Sequence, residues 1–223
     1  MLSSLAYKEW LKLRYVFWVP FLFIALALGD ALITFRHVNE IIGPLMLWLD
    51  AVFYDKVFFD SLLPAGVFCG IWTALFQFVP ECQGKRLRLL FHLPVRHRVS
   101  LYFIIFTGLL ICSAGLLVSL GGLSLLVAHY LPREMVIRSV LTALPWMLAS
   151  YPAYLGTVLL IVEPLWTRKF LLGILTVLFL KPFFASEIPG AYQHSILSFA
   201  LLTLLWLFPL DVLANRFKRG ARW

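Results

Sequence analysis

The stretch VSLYFIIFTGLLICSAGLLVSLGGLSLLVA, Val99–Ala128, carries no charged side chain over thirty positions. An α-helix crosses the ~30 Å hydrocarbon core of a bilayer with about twenty mostly apolar residues. The stretch therefore reads as a membrane-spanning helix, and it sets the class of the whole chain. Working outward, five more segments share its character to differing degrees: Val16–Phe35, Phe58–Val79, Ser139–Val162, Phe170–Ser186 and Ser195–Ala214. Phe170–Ser186 is short and is interrupted by Lys181, while the last is uncharged from Ser195 to Leu210 and then meets Asp211. Composition agrees. The chain is 62% hydrophobic and only 13% charged, about half the ~25% of a soluble domain. The reading predicts an all-α polytopic membrane protein, with six transmembrane helices in one domain covering residues 1–223. Pro20–Leu28 has the character of a signal-peptide core, but no small-x-small cleavage site follows it.

Basic residues then set the orientation. With six spans, one face receives Lys8, Lys12, Arg14, Lys85, Arg86, Arg88, Arg96, Arg98, Arg168, Lys169, Arg216, Lys218, Arg219 and Arg222. The other receives Arg36, Lys56, Arg133, Arg138 and Lys181. Fourteen against five places both termini in the cytoplasm, including the basic tail 215–223, and points to a bacterial inner membrane. The net charge of +8 then reflects topology and contact with anionic lipid, without a need for nucleic acid. Cys69, Cys82 and Cys112 form no C-x-x-C motif, and His37, His92, His97, His129 and His194 are scattered, so no metal site is expected.

At the N-terminus, Leu2, Ala6, Trp10, Leu13 and Phe17 form one helical stripe flanked by Lys8 and Lys12. This pattern suits an elbow helix over residues 1–14 lying in the membrane interface. A plain extension of the first span is the alternative. In the third span Gly108, Cys112, Gly115, Ser119 and Gly122 line one face at spacings of four and three, the small-residue stripe on which helices approach closely. A second stripe, Gly66, Gly70, Thr73 and Gln77, suits packing or the lining of a polar path. Pro145 and Pro152 are expected to kink the fourth span. Charges inside a membrane are costly and usually functional. Asp30 is read as pathway lining or outer-surface exposure, and Asp211 as an interfacial carboxylate beside the basic tail. Arg36–Val57 has the spacing of a short amphipathic helix on the outer surface, and Lys181–His194 that of an irregular, re-entrant connection.

The segment Glu81–Arg98, ECQGKRLRLLFHLPVRHR, holds five of the nineteen Lys and Arg residues between two uncharged runs. On a helical wheel Glu81, Lys85, Arg88 and His92 share one face, with Glu81 and Lys85 at the favourable i, i+4 spacing. Leu87, Leu90 and Phe91 occupy the other face, and Pro94 stops the helix. A positive-inside loop explains the charge but not a two-faced helix of about three turns.

In this pattern the chain resembles the six-span permease subunits of ATP-binding-cassette exporters, the class that includes drug and polysaccharide exporters. The shared motif is an acidic residue, glycine, a leucine-rich turn and then Leu-Pro-Val-basic, here Glu81, Gly84, Leu87, Leu89, Leu90, Leu93, Pro94, Val95 and Arg96. The resemblance extends to the elbow around Tyr7–Arg14 and to the tight hairpin Glu163–Lys169. It implies a cytoplasmic coupling helix between spans two and three, with Glu81, Gly84, Lys85, Arg88, Leu90, Phe91, His92 and Pro94 contacting a separate cytoplasmic ATPase. It also implies a homodimer or a pseudo-dimer with a related permease, and a substrate path for which Asp30, Thr73 and Gln77 are candidate lining residues. Arg36–Val57 is longer, and Lys181–His194 shorter, than is usual in that class.

A phosphate-binding loop requires G-x-x-x-x-G-K-[ST]. The single Gly-Lys, Gly84-Lys85, is followed by Arg86 and has Val79 in place of the first glycine. No cofactor is expected in this chain, and ATP and Mg would bind the partner subunit. Three other classes compete. An intramembrane enzyme would need a motif such as G-x-S-x-G or H-E-x-x-H, which is missing, and Asp50, Asp55 and Asp60 are five apart and scatter around a helix. An ion-coupled carrier would show internal repeats and several buried charges. A non-catalytic subunit of another membrane complex remains the alternative. The apolar spans favour a lipid-like or amphipathic cargo.

Overall fold

The computed structural model describes residues 2–82, 97–186, 188–207 and 209. The described residues form helices and connections, with no strand among them. Helix α1 (Leu2–Leu13) precedes α2 (Trp18–His37), which continues through a π-helical turn, Val38–Ile42. Gly43, at φ +103°, ends that turn in a conformation that only glycine adopts without strain. Helix α3 (Pro44–Val52) follows, with proline in its first turn where no donor is lost. A 3-10 turn, Asp60–Leu62, leads into α4 (Leu63–Cys82). Beyond the undescribed residues come α5 (His97–Tyr130), α6 (Arg133–Leu148) and α7 (Ser150–Val162). The last elements are α8 (Trp166–Leu180), a 3-10 turn at Lys181–Phe184, and α9 (Ile196–Leu204).

Among the described residues, four stretches are long and apolar enough to cross a membrane: Trp18–Ile42, Asp60–Cys82, Leu101–Tyr130 and Arg133–Val162. The chain is thus a helical membrane protein. The last of these is broken at Ala149, between α6 and α7. Pro145 and Pro152 flank the break, and each removes a backbone donor from the helical ladder. The expected fifth and sixth spans are shorter as described. Helix α8 stops where Lys181 and Pro182 begin a tighter turn, and residues 210–223, with Asp211 and the basic tail, lie outside the described residues.

Helix α4 sits at the centre. Small residues decide how close its neighbours come, because lipid tails supply no hydrophobic drive between helices and contact must come from packing. A methyl group added at Gly66 would strike the Trp146 carbonyl oxygen, and one at Gly70 the Ser150 carbonyl oxygen. Helix α2 runs antiparallel to α4: Phe23 stacks on Phe68 at 4.5 Å, and Ser61 Oγ donates to the Ala27 carbonyl at 3.0 Å. On α5, Gly115 faces Cys69 and Ile24, and Gly122 faces Leu28. Helix α8 runs antiparallel to α7, with Gly156 against Thr176 and Gly173 against Leu160. These pairings put Cys82, His97 and Val162 at the end of the bundle that carries α1, and Asp60, Tyr130 and Arg133 at the far end. The apolar core falls into two clusters. One, around Phe35, Leu62 and Trp146, lies toward the far end; the other, around Phe78, Ile104 and Leu159, lies toward the α1 end.

The stretch after the first span departs from a simple amphipathic helix. Ile41, Ile42, Leu45, Met46 and Phe53 are exposed, while Leu47 and Ala51 are buried. Asp50 and Asp55 are paired, with Lys56 at 3.4 Å and Arg138 at 2.6 Å respectively.

Candidate functional site

Polar side chains converge where α1 meets the end of α4. Helix α1 presents Tyr7, Trp10 and Leu11 outward, and they are exposed. It turns Glu9 and Leu13 into the bundle, where each is buried. Exposed aromatic side chains suit the interfacial region of a bilayer, so the helix has its charged face inside and its aromatic face outside. On α4, Gln77 and Glu81 are one turn apart and follow α1 along the same face. Both are buried, Glu81 at 2% exposure.

The Lys12 ammonium is the hub. Its neighbours are Glu9 Oε1 at 2.8 Å, Glu81 Oε1 at 3.1 Å and the Gln77 carbonyl oxygen at 3.0 Å, and it donates hydrogen bonds to the last two. The contact with Glu9 Oε1 is an ion pair without a directed hydrogen bond. Lys8, partly exposed, reaches the same Glu81 Oε1 at 2.8 Å. Two carboxylates face two ammonium groups, so the cluster is neutral overall, which is the condition for burying charge at tolerable cost. Glu81 Oε2 is buried and accepts no hydrogen bond among the described residues.

Gln77 extends the cluster into the spans. Its Nε2 donates toward Glu9 Oε2 (3.1 Å), the Ile104 carbonyl (2.6 Å) and Thr107 Oγ1 (2.9 Å). Its Oε1 accepts from the Tyr154 hydroxyl at 2.6 Å. This fixes the amide's orientation, since a flip would set the amide oxygen against a carboxylate and a carbonyl. Gly108 leaves the space that the Tyr154 hydroxyl occupies. Helices α1, α4, α5 and α7 are therefore tied through one amide. A third carboxylate at this end, Glu163, is buried where α7 ends.

Of the predicted site residues, Glu81 and Gln77 are brought together here. Thr73 lies one turn deeper on the same face, and its hydroxyl donates to its own helix at the Cys69 carbonyl, 2.8 Å away. Asp30 is not part of the group. It is exposed, about a turn beyond Ala27 and so near the level of Ser61 at the far end. Gly84, Lys85, Arg88, Leu90, Phe91, His92 and Pro94 lie outside the described residues, as does most of the expected coupling segment 81–98. Its edges are described: Glu81 and Cys82 close α4, and His97 and Arg98 open α5. Glu9, Thr107 and Tyr154 were not singled out by the sequence reading. The available signal was Glu9 three residues before Lys12 on a helix facing a span whose apolar run contains Gln77 and ends in Glu81.

No group of three or more His, Cys, Asp or Glu side chains that could hold a metal occurs among the described residues. Comparison with protein-family models, with curated proteins and with solved structures gives no match to this chain.

Proposed function

We propose that the chain is the transmembrane permease subunit of an ATP-binding-cassette exporter, forming a substrate path driven by a separate cytoplasmic ATPase. In this reading the protein has six spans, α1 is the elbow helix, both termini are cytoplasmic, and residues 81–98 form the coupling segment. ATP and Mg bind the partner, and two copies, or this chain and a related one, assemble on two ATPase subunits. The observation that supports it most is the position of Glu81. The acidic residue that opens the coupling motif is buried and ion-paired to both lysines of α1. A solvated positive-inside loop gives no reason for such an anchor. A segment that receives force does, because displacement at Glu81 passes to α1 through Lys12 and to α5 and α7 through Gln77.

The test is purification in mild detergent from the native source. The reading expects a separate ATPase to stay bound, and the isolated chain neither to bind nor to hydrolyse ATP. Replacing Leu90 and Phe91 together by alanine leaves the Glu81 cluster intact and should release the ATPase while membrane insertion is unchanged. ATP turnover by the isolated chain that survives removal of contaminants, or a double variant that binds the ATPase like the wild type, would overturn it.

A further inference from the structure

The second feature of the molecule is a groove of about 760 Å³ between α4, α7 and α8, lined by Ile71, Ala153, Leu160, Gly173 and Val177 among others, with Lys169 and Lys181 also on its wall. Lys169 lies near Cys82 at the α1 end, its ammonium 5.4 Å from the centre of the exposed Trp166 ring. Lys181 lies elsewhere. The antiparallel pairing of Gly156 with Thr176 and Gly173 with Leu160 carries it to the level of Tyr151–Ala153, and it shares the groove with Ile71. Ile71 precedes Cys82 by eleven residues, or ~16 Å of helix, about half of a ~30 Å hydrocarbon core. Lys181 is therefore at mid-depth, farther from the rim than a lysine stem can reach by bending toward water. It is exposed, and it meets no carboxylate among the described residues.

A charge at such a depth is expensive and is kept where something pairs with it. The groove wall is mostly apolar, with Thr157 and Thr176 among its few uncharged polar residues. We propose that this groove binds an amphipath with an anionic headgroup, its acyl chains lying against α8 and its headgroup held by Lys181 at mid-depth. The inference builds on the exporter reading by naming the class of cargo and a transit position for its headgroup. It concerns binding to this chain alone, so it fails or stands separately from any result with an ATPase. Loss of the ATPase partner would sink the exporter and leave the groove. Loss of lipid selectivity with the ATPase still bound would sink only the groove.

The experiment uses the full chain reconstituted with equimolar phosphatidylglycerol and phosphatidylcholine, then gently extracted and weighed with its retained lipids by native mass spectrometry. Even a lysine at a membrane surface favours an anionic lipid by about fivefold, so retention should favour phosphatidylglycerol at least about fivefold. Lys181→Gln should abolish the preference, and Lys181→Arg should keep it. Lys56→Gln, at the far end and outside the groove, should leave it. Helical circular dichroism shows that each variant is folded. Equal retention of the two lipids, a preference that survives Lys181→Gln, or one lost equally with Lys56→Gln would each overturn the proposal. So would a chain found as a dimer that retains no lipid and comes apart on Lys181→Gln, because the groove would then hold a second copy.

Discussion

The two ends of the bundle handle charge in opposite ways. At the far end, Arg36–Glu40, Lys56–Asp50 and Arg138–Asp55 are pairs of largely exposed side chains. At the α1 end, Glu9 and Glu81 are buried and share Lys12, with Gln77 bonded to both the helix and the spans. Exposed pairs gain little, because water and salt screen them and long side chains lose freedom. Buried pairs gain little net stability over an apolar replacement but cost much when one partner is removed. The far end is thus electrostatically tolerant and the α1 end is not. A helix bound by charge rather than by grease is held in one register, the property needed to transmit a displacement.

The largest expected effect follows from the hub. Lys12→Met leaves Glu9 buried beside Glu81 with only the partly exposed Lys8 to compensate. Breaking a buried pair costs about 3–5 kcal/mol, so thermal unfolding in detergent, followed by tryptophan fluorescence, should move sharply downward. Adding Glu9→Gln and Glu81→Gln removes the orphaned charges and should restore part of the loss. A loss below about 1 kcal/mol for the single variant would put this cluster in the class of surface pairs and erase the contrast between the ends.

A smaller effect is expected one layer inward. Tyr154→Phe keeps the ring and its packing but removes the donor to Gln77 Oε1 at 2.6 Å. Hydrogen bonds between spans average about 0.6 kcal/mol, because separated helices find other partners in the bilayer. The loss here should be larger, about 1–2 kcal/mol, since the amide oxygen is left buried without a donor. Gln77→Leu provides the cross-check: with the amide gone, adding Tyr154→Phe should cost nothing further. Independent, additive losses would mean that Gln77 does not join the helices as one unit.

The long spans were legible because length and lack of charge are local properties. Trp18–Ile42, Asp60–Cys82, Leu101–Tyr130 and Arg133–Val162 overlap the apolar runs read from sequence. The contacts of the glycine stripes follow from the same periodicity. The site was legible only in part, for a physical reason. The stripe Leu2, Ala6, Trp10, Leu13 and Phe17, flanked by Lys8 and Lys12, suits a helix lying in the membrane interface but assigns no face to Glu9. The structure divides that stripe, with Trp10 exposed and Leu13 buried, and the buried side of α1 also carries Glu9. Glu9 is inside because a partner on another helix, Gln77, meets it there, which spacing along α1 alone does not reveal. Asp30 was ambiguous because residue count places it along α2 but not against its neighbours. The bond from Ser61 to the Ala27 carbonyl supplies the missing level. The expected fifth span is interrupted at Lys181, and helix α8 ends at Leu180, where the tighter turn begins.

The smallest effect sharpens the comparison from its tolerant side. Arg138 Nη2 meets Asp55 Oδ1 at 2.6 Å, joining α6 to the connection that precedes α4. Asp55 has a positive φ of 51°, an arrangement that aspartate tolerates better than most residues, so the pair fastens a turn that already holds its own shape. Both side chains are partly open to solvent. Arg138→Ala should then cost no more than ~1 kcal/mol at low salt. Because the Debye length falls from ~10 Å at 0.1 M salt to ~3 Å at 1 M, the difference from wild type should vanish as salt is raised. Lys12→Met measured over the same range should keep most of its effect, since its partners are shielded from ions by the helices around them. If salt erased both differences alike, the carboxylates of the α1 end would be in contact with water, and the buried anchor for Glu81 would not exist.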